Sequence, residues 1–356
     1  MKMGIIGLPN SGKTTIFNAL TKMEANVSTY SDATAEPNVA VVAVDDDRLH
    51  SLSDMYKPKK TTGATIEMID FPGLKEGAAK NGLFTGSSMG WIKGIDALAL
   101  VVRNFHNDLN GDPAPLRDID EIATELLLAD LILIENRLEK IAWFKKRGQK
   151  TNALALEEKV LQKIAEHLNN NEPIRDVELD EDEETLIRGF QFLTKKPILL
   201  ILNSDEAVFG RNENLIGEIE SSYNVIEFAG RFEMELARLN DEEAKIFMED
   251  MGIEGKSARE RLTQFAYKTL GYVSFFTVGE DEVRAWSICG GDNAVNAAGT
   301  IHTDLARGFI RAECFTYDEL IECGSEKGVR ENGHFRLEGK DYIVRDGDIL
   351  SIRFSV

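Results

Sequence analysis

The chain has 356 residues, enough for two or three domains, and its 43% hydrophobic and 29% charged residues are those of an ordinary globular protein. A formal net charge of −20 excludes a general, sequence-independent affinity for nucleic acid, which needs a basic surface, though a local basic patch stays open. No apolar run reaches the ~18 residues of a membrane span, the N-terminus has no signal-peptide pattern, and Cys289, Cys314 and Cys323 are too few and too scattered for a disulfide framework. A cytoplasmic protein is expected, with no membrane partner.

Short apolar runs bounded by Gly, Pro, Asn or Asp recur at Met3–Ile6, Val39–Val44, Ala64–Asp70, Ala97–Val102, Pro197–Leu202 and Asn224–Phe228. Helical patterns separate several of them. That rhythm predicts an α/β fold with a mostly parallel sheet covered on both faces.

The first run leads into Gly7-Leu8-Pro9-Asn10-Ser11-Gly12-Lys13-Thr14, a full Walker A match, and then into a helical stretch from Thr15 to Thr21. Glycines there let backbone N–H groups close around phosphates, and the helix N-terminus favours their charge. Asn10, Ser11, Gly12, Lys13, Thr14 and Thr15 are therefore the expected phosphate contacts, with Lys13 reaching the terminal phosphates and Thr14 ligating Mg²⁺. Thr34, in Ala33-Thr34-Ala35-Glu36-Pro37-Asn38, is the expected second protein ligand of the ion once triphosphate is bound. Asp70-Phe71-Pro72-Gly73 closes the third run: Asp70 can hold the Mg²⁺ shell and the Gly73 amide can sense a γ-phosphate. Lys13, Thr34 and Gly73 are the expected catalytic group, and Thr14, Thr34 and Asp70 the expected metal set.

Between about Asp118 and Lys195 the strand rhythm stops. Ile119, Ile122, Leu126, Ala129, Leu133, Leu138 and Ile141 recur at helical steps, Gly148-Gln149-Lys150 reads as a turn, and Leu156, Val160, Ile164 and Leu168 continue a second helix. Two long antiparallel helices result, on the order of 40 Å long, with Lys145, Lys146, Arg147 and Lys150 at the tip. The acidic run from Asp176 to Glu184 reads as a solvated helix start.

Asn203-Ser204-Asp205-Glu206 closes the Pro197–Leu202 run, where GTPases place Asn-Lys-x-Asp to read guanine. Asn203, Ser204 and Glu206 are thus the expected base-side contacts, with Ala229-Gly230-Arg231 as the last base-side loop. A metabolic P-loop kinase shares the Walker A but has no need of the threonine loop, D-x-x-G and N-x-x-[DE] in this order. Beyond Gly271, Ser274–Val278, Glu282–Ile288, Gly308–Phe315, His334–Val344 and Asp348–Phe354 read as strands of a small α+β domain, with Asp346-Gly347 as a turn.

Over its whole length the chain resembles the Obg-like ATPase (YchF-type) family of translation-factor-related P-loop proteins. Besides the motifs above, the resemblance rests on Phe275-Phe276-Thr277, Arg284-Ala285-Trp286, Ile301-His302-Thr303-Asp304 and Gly308-Phe309-Ile310-Arg311-Ala312-Glu313. It implies a P-loop domain over 1–117 and 196–270, a helical coiled-coil insertion over 118–195, and a ubiquitin-like β-grasp (TGS) domain over 271–356. It also implies ATP hydrolysis, with Mg²⁺, coupled to binding the ribosome or its subunits, and a monomer is expected. The basic cluster Lys145, Lys146, Arg147 and Lys150 on an otherwise acidic chain leads us to expect ribosome contact at the hairpin tip and the TGS-like domain. A GTPase of ribosome assembly and a nucleotide-gated, non-catalytic scaffold for RNA or protein are the alternatives.

The chain departs from the family's pattern at several points. Ser11-Gly12-Lys13-Thr14 stands where Val-Gly-Lys-Ser is usual, and Asp70-Phe71-Pro72-Gly73-Leu74 where Asp-Ile-Ala-Gly-Leu is usual. Asn107 to Leu116 lacks the family's histidine, and His106 reads as a surface residue. Leu74 occupies the place of the glutamine with which GTPases orient water, so unassisted turnover should be slow. By analogy alone, Asn10 matches the position that helps bind an activating K⁺ in related proteins.

Overall fold

The computed structural model describes residues 1–21, 37–74, 77, 91–92, 94–239, 241–250 and 257–355, and the chain divides there into two compact units. The first covers 2–40 and 67–258 and the second 41–66 and 259–356, Met1 falling with the second.

In chain order the elements leading through the first sheet are β1 (Lys2–Ile6), α1 (Lys13–Thr21), β2 (Asn38–Ala43), α2 (Asp47–Tyr56), β3 (Lys60–Thr62), β4 (Thr65–Asp70), β5 (Ala97–Asn104), α3 (Pro115–Lys146), α4 (Asn152–Asn169), α5 (Glu181–Ile187), β6 (Ile198–Ser204), α6 (Glu213–Glu220), β7 (Asn224–Phe228) and α7 (Gly230–Leu236). The strand order is β2-β4-β1-β5-β6-β7, and β4, β1, β5, β6 and β7 pair in parallel. All eight residues of β5 are buried, as a strand covered on both faces requires. Ile6, Ile69, Leu100, Val102, Leu200 and Leu202 pack with Ile119, Ile122 and Leu126 of α3 into one core.

Helix α3 has 32 residues and α4 has 18, so the arms are about 48 and 27 Å long at 1.5 Å per residue. Pro115 opens α3, where a missing N–H costs nothing. Gly148 takes a φ of +82° in the turn, and the Thr151 hydroxyl caps α4 by accepting from Leu154 N–H. Ile134 and Ile141 meet Val160, Leu161, Ile164 and Leu168 along the seam, and Arg137 grips Glu157 with two hydrogen bonds of 2.6 and 2.9 Å. The acidic run is a capped helix start: Asp180 accepts from Glu183 N–H, and the Glu183 carboxylate accepts from Asp180 N–H.

Three acidic residues, Asp118, Glu125 and Asp130, are buried on the packed face of α3, and Asp130 is the deepest of them. Asp130 is buried, and its carboxylate accepts Leu193 N–H (2.9 Å), Thr194 N–H (2.8 Å) and the Thr194 hydroxyl (2.7 Å). This clasp fixes the arm to the segment that enters β6. Burial outweighs those bonds and raises the Asp130 carboxyl to about 6.

The remaining elements are α8 (Asp241–Asp250), α9 (Ala258–Leu270), β8 (Tyr272–Thr277), β9 (Glu282–Cys289), α10 (Ala294–Ile301), α11 (Thr303–Arg307), β10 (Phe309–Thr316), α12 (Tyr317–Cys323), α13 (Glu326–Glu331), β11 (Arg336–Glu338) and β12 (Asp348–Phe354). The second sheet runs β11-β10-β12-β8-β9-β3. Its outermost strand, β3, comes from the front half of the chain and lies parallel to β9, with Thr62 donating to Glu282 at 2.6 Å. In the same unit Arg48 of α2 bonds both oxygens of Asp346, at 2.7 and 3.2 Å. The predicted strand His334–Val344 shrinks to Arg336–Glu338. Gly339 turns the chain, with Tyr342 N–H closing back on Gly339 O, and beyond it Ile343 makes a single bridge to Asn293. The expected class, a P-loop sheet with a helical insert and a β-rich TGS-like second sheet, is otherwise the one observed.

Candidate nucleotide and metal site

The turn between β1 and α1 is the phosphate-binding loop. A Cβ on Gly7 would sit 2.4 Å from the Val101 carbonyl oxygen, and Gly12 combines a φ of +88° with Asn203 Nδ2 at 2.1 Å from where its Cβ would be. Only glycine fits either place. Asn10 also takes a left-handed φ, +62°, and its side-chain nitrogen donates to Asn110 Oδ1 at 3.2 Å.

Lys13 lies almost wholly buried beneath this loop, with Nζ donating to Leu8 O at 3.0 Å. Burial lowers its amine to about 8, against the pull of Asp70 in the other direction. Thr14 donates its hydroxyl to Asp70 Oδ2 at 2.9 Å, and Asn38 Nδ2 approaches the same oxygen at 3.5 Å. Asp70 Oδ1 and Ser11 Oγ are buried with no hydrogen-bond partner among the described residues. Burial raises the Asp70 carboxyl above the usual range. A hydroxyl and a carboxylate side by side, one carboxylate oxygen unpaired, form a hard-oxygen set that fits Mg²⁺. When bound, that ion neutralises developing charge on the β- and γ-phosphates. Thr34, the expected second ligand, lies outside the described residues, as do Ala33 and Glu36.

Past β4 the chain packs back on the loop. A Cβ on Gly73 would lie 3.0 Å from Pro9 Cα, and Leu74 N–H donates to Gly7 O at 2.9 Å. Gly73 thus sits directly against the phosphate loop, with Leu74 fully buried beside it.

On the base side a cavity of about 600 Å³ is lined by Gly12, Thr15, Phe105, Asn203, Glu206 and Arg231, among others. Asn203 is buried, and its amide is engaged at both ends: Nδ2 donates to Ser11 O and Oδ1 accepts Gly230 N–H, each at 3.0 Å. It is a strut between the phosphate loop and the last base-side loop. Ser204 lines the cavity too, and its hydroxyl is engaged in a hydrogen-bond network, accepting from Asn104 Nδ2 at 2.9 Å and donating to Glu227. Glu206 is exposed at the rim.

Sequence reasoning missed Phe105 as a wall of this cavity, where it reaches within 3.8 Å of the Gly12 Cβ position. It also missed Arg103, which is buried and donates to the carbonyls of Phe105 (2.8 Å), Gly111 (2.7 Å) and Asp112 (3.1 Å), knotting the loop that carries Phe105. A charge at the end of an apolar strand was the available signal. His106 is exposed, as read, but stands at the cavity rim with Nδ1 3.0 Å from Asp112.

A parallel sheet with a glycine-rich first turn, a buried lysine beside a threonine–aspartate pair and an asparagine strut on the base side define a P-loop nucleotidase of the GTPase type. Residues 2–137 match the family model described as 50S ribosome-binding GTPase, and residues 272–355 that described as a protein of unknown function (DUF933). The chain is 39% identical to the ribosome-binding ATPase YchF of Bacillus subtilis (strain 168) over 364 residues, 99% of either chain. It is 41% identical to that of Pasteurella multocida (strain Pm70), covering 100% of this chain and 99% of the relative. The solved YchF GTPase of Schizosaccharomyces pombe superposes with a TM-score of 0.80 at 31% identity, covering 99% of this chain and 97% of that one. The chain belongs to the YchF-type family of Obg-like ATPases.

Proposed function

We propose that the chain is an Mg²⁺-dependent ATP hydrolase that switches conformation with its nucleotide and binds the ribosome. The observation that carries the reading is the buried Lys13 facing the Thr14–Asp70 pair at the first strand–helix turn. The relatives named ribosome-binding ATPases support the substrate and the partner. In this reading Lys13 holds the β- and γ-phosphates, Thr14, Thr34 and Asp70 hold the ion, and the Gly73 amide senses the γ-phosphate. With Leu74 in the glutamine's place, turnover is slow until a partner or an activating K⁺ beside Asn10 assists. The protein works in the cytoplasm as a monomer, and the hairpin tip and TGS-like sheet meet the ribosome. No helix among the described residues is long and apolar enough to cross a membrane.

The second reading is a GTPase, the word printed for the fission-yeast structure. Glu206 favours ATP. A guanine reader places an aspartate here to accept from the base's N1–H and 2-amino group. Glu206 carries its carboxylate about 1.3 Å further, one methylene out of register. Adenine has no donor at that edge to lose. Asn203, already bound at both ends, adds little discrimination. Wild type should bind MgATP roughly 100-fold tighter than MgGTP, and Glu206→Asp should narrow that gap by gaining GTP affinity. Equilibrium titration of both nucleotides measures it, and GTP binding tighter than ATP in the wild type overturns the reading.

A further inference from the structure

The tip of the helical hairpin carries an aromatic platform that neither nucleotide binding nor the arm's packing uses. Trp143, in the last turn of α3, is 47% exposed, although burying an indole is normally worth a good deal. The Arg147 guanidinium lies over its ring, 3.7 Å from the centroid. Phe144 meets Trp143 edge-on, with ring centroids 5.2 Å apart. The four cations of the tip are not equivalent. Lys145 turns to Glu158 of α4 and Arg147 to the indole, while Lys146 and Lys150 are exposed. A chain of net charge −20 therefore presents, at the end of an arm about 48 Å long, a flat aromatic–guanidinium stack flanked by two solvated lysines.

The chemistry that fits is a nucleobase with its phosphates. Any base offers a π-face to stack on an indole or a guanidinium plane, and lysines take the flanking phosphodiesters without reading sequence. A base paired inside a duplex hides that face, so the ligand is an unpaired nucleotide in a loop, bulge or end. A protein partner fits less well, because beside this one stack the tip offers cations rather than a broad apolar surface.

We propose that the hairpin tip docks an unpaired RNA nucleotide, whose base stacks on the Trp143–Arg147 platform while Lys146 and Lys150 hold its neighbouring phosphates. The proposal rests on the ribosome-binding reading for its biological target, but not for its chemistry. The platform grips by contact and is insensitive to salt, whereas the lysines act by counterion release, so the two contributions separate experimentally.

The experiment titrates full-length protein with an unstructured RNA 12-mer and, in parallel, sediments it with purified ribosomes across a salt series. Trp143 fluorescence should be quenched by the 12-mer. Trp143→Ala should weaken binding to both ligands about tenfold or more at every salt concentration, leaving the salt slope unchanged. Trp143→Phe, which keeps a ring, should stay near wild type, and unchanged ATP affinity in both variants reports an intact fold. Lys146→Gln with Lys150→Gln should lower the slope for the 12-mer by about 1.4. Trp143→Ala binding both ligands like wild type overturns the proposal. So does loss of ribosome binding with no Trp143-dependent binding of the 12-mer, which would place a ribosomal protein at the tip. Trp143-dependent binding of the 12-mer without any ribosome binding upholds the tip chemistry and defeats the ribosome reading instead.

Discussion

Lys13→Ala should lower ATP affinity by at least about 100-fold, or about 2.7 kcal/mol. The lysine is the only side-chain cation of the phosphate loop, it is buried, and each charge-assisted bond it makes to a phosphate oxygen is worth about 1.5–3 kcal/mol. Its low affinity for a proton adds a signature. In the free protein burial holds the amine at about 8, while bound phosphates favour the ammonium and raise it. Above pH 8 the free site is neutral and must take up a proton as ATP binds. Affinity should therefore be flat below about pH 7.5 and fall as pH rises beyond 8, by up to about tenfold per unit. Isothermal titration in buffers of different ionisation enthalpy reads both the constant and the proton uptake. The variant should lose the pH dependence together with the affinity. A variant within a few-fold of wild type would mean that the phosphates bind elsewhere.

Asp130→Ala should cost about 2–4 kcal/mol of folding stability at pH 7, a substantial share of the roughly 5–15 kcal/mol by which folded proteins are stable. The substitution strands two buried backbone N–H groups and the Thr194 hydroxyl, each worth about 1–3 kcal/mol when unpaired. Relief of the buried carboxylate's own desolvation offsets part of that loss. The sign of the pH dependence follows from the raised pKa. A carboxyl at about 6 in the folded protein and near 3.9 in the unfolded chain contributes stability that is complete below pH 3.9 and lost as pH rises through 6. The deficit of the variant should accordingly shrink by about 1 kcal/mol between pH 5 and pH 7. Urea denaturation at the two pH values measures it. A deficit that grows toward neutrality would show that Asp130 titrates low and that its hydrogen bonds outweigh its burial.

The parts of the site that were legible in the sequence are those in which chemistry demands particular residues at fixed steps along the chain. Gly7 is forced by the Val101 carbonyl, Gly12 by its left-handed φ and the Asn203 side chain, and Thr14 meets Asp70 because the pattern puts one at a helix start and the other at a strand end. The hairpin was legible because Ile134, Ile141, Val160 and Ile164 keep the helical period on both arms. What escaped is non-local or uses a residue against its type. Asp130 reads as an interruption of an apolar run; that it clasps Leu193 and Thr194 depends on a contact some 60 residues away. Asn203 reads as a base contact, and only the fold reveals that both ends of its amide are bound to backbone. Strand β3 has only three residues and no alternation to announce it, and its partner lies in the last third of the chain.

That last pairing has a consequence for how the protein is made. Thr62 leaves the peptidyl-transferase centre 220 residues before Glu282, the residue it bonds. At 5–20 residues per second the wait is roughly 10–40 s, long against the microseconds in which a hairpin forms. For that interval the segment around β3 is a lone strand on a nascent chain, able to pair with whatever edge is near. Its brevity and its lysines, which end up against Asp281 and Glu282, are features that discourage such pairing. The second sheet gains its outermost strand only when the C-terminal third emerges, so a stalled or truncated chain carries the front strand with nothing to close it.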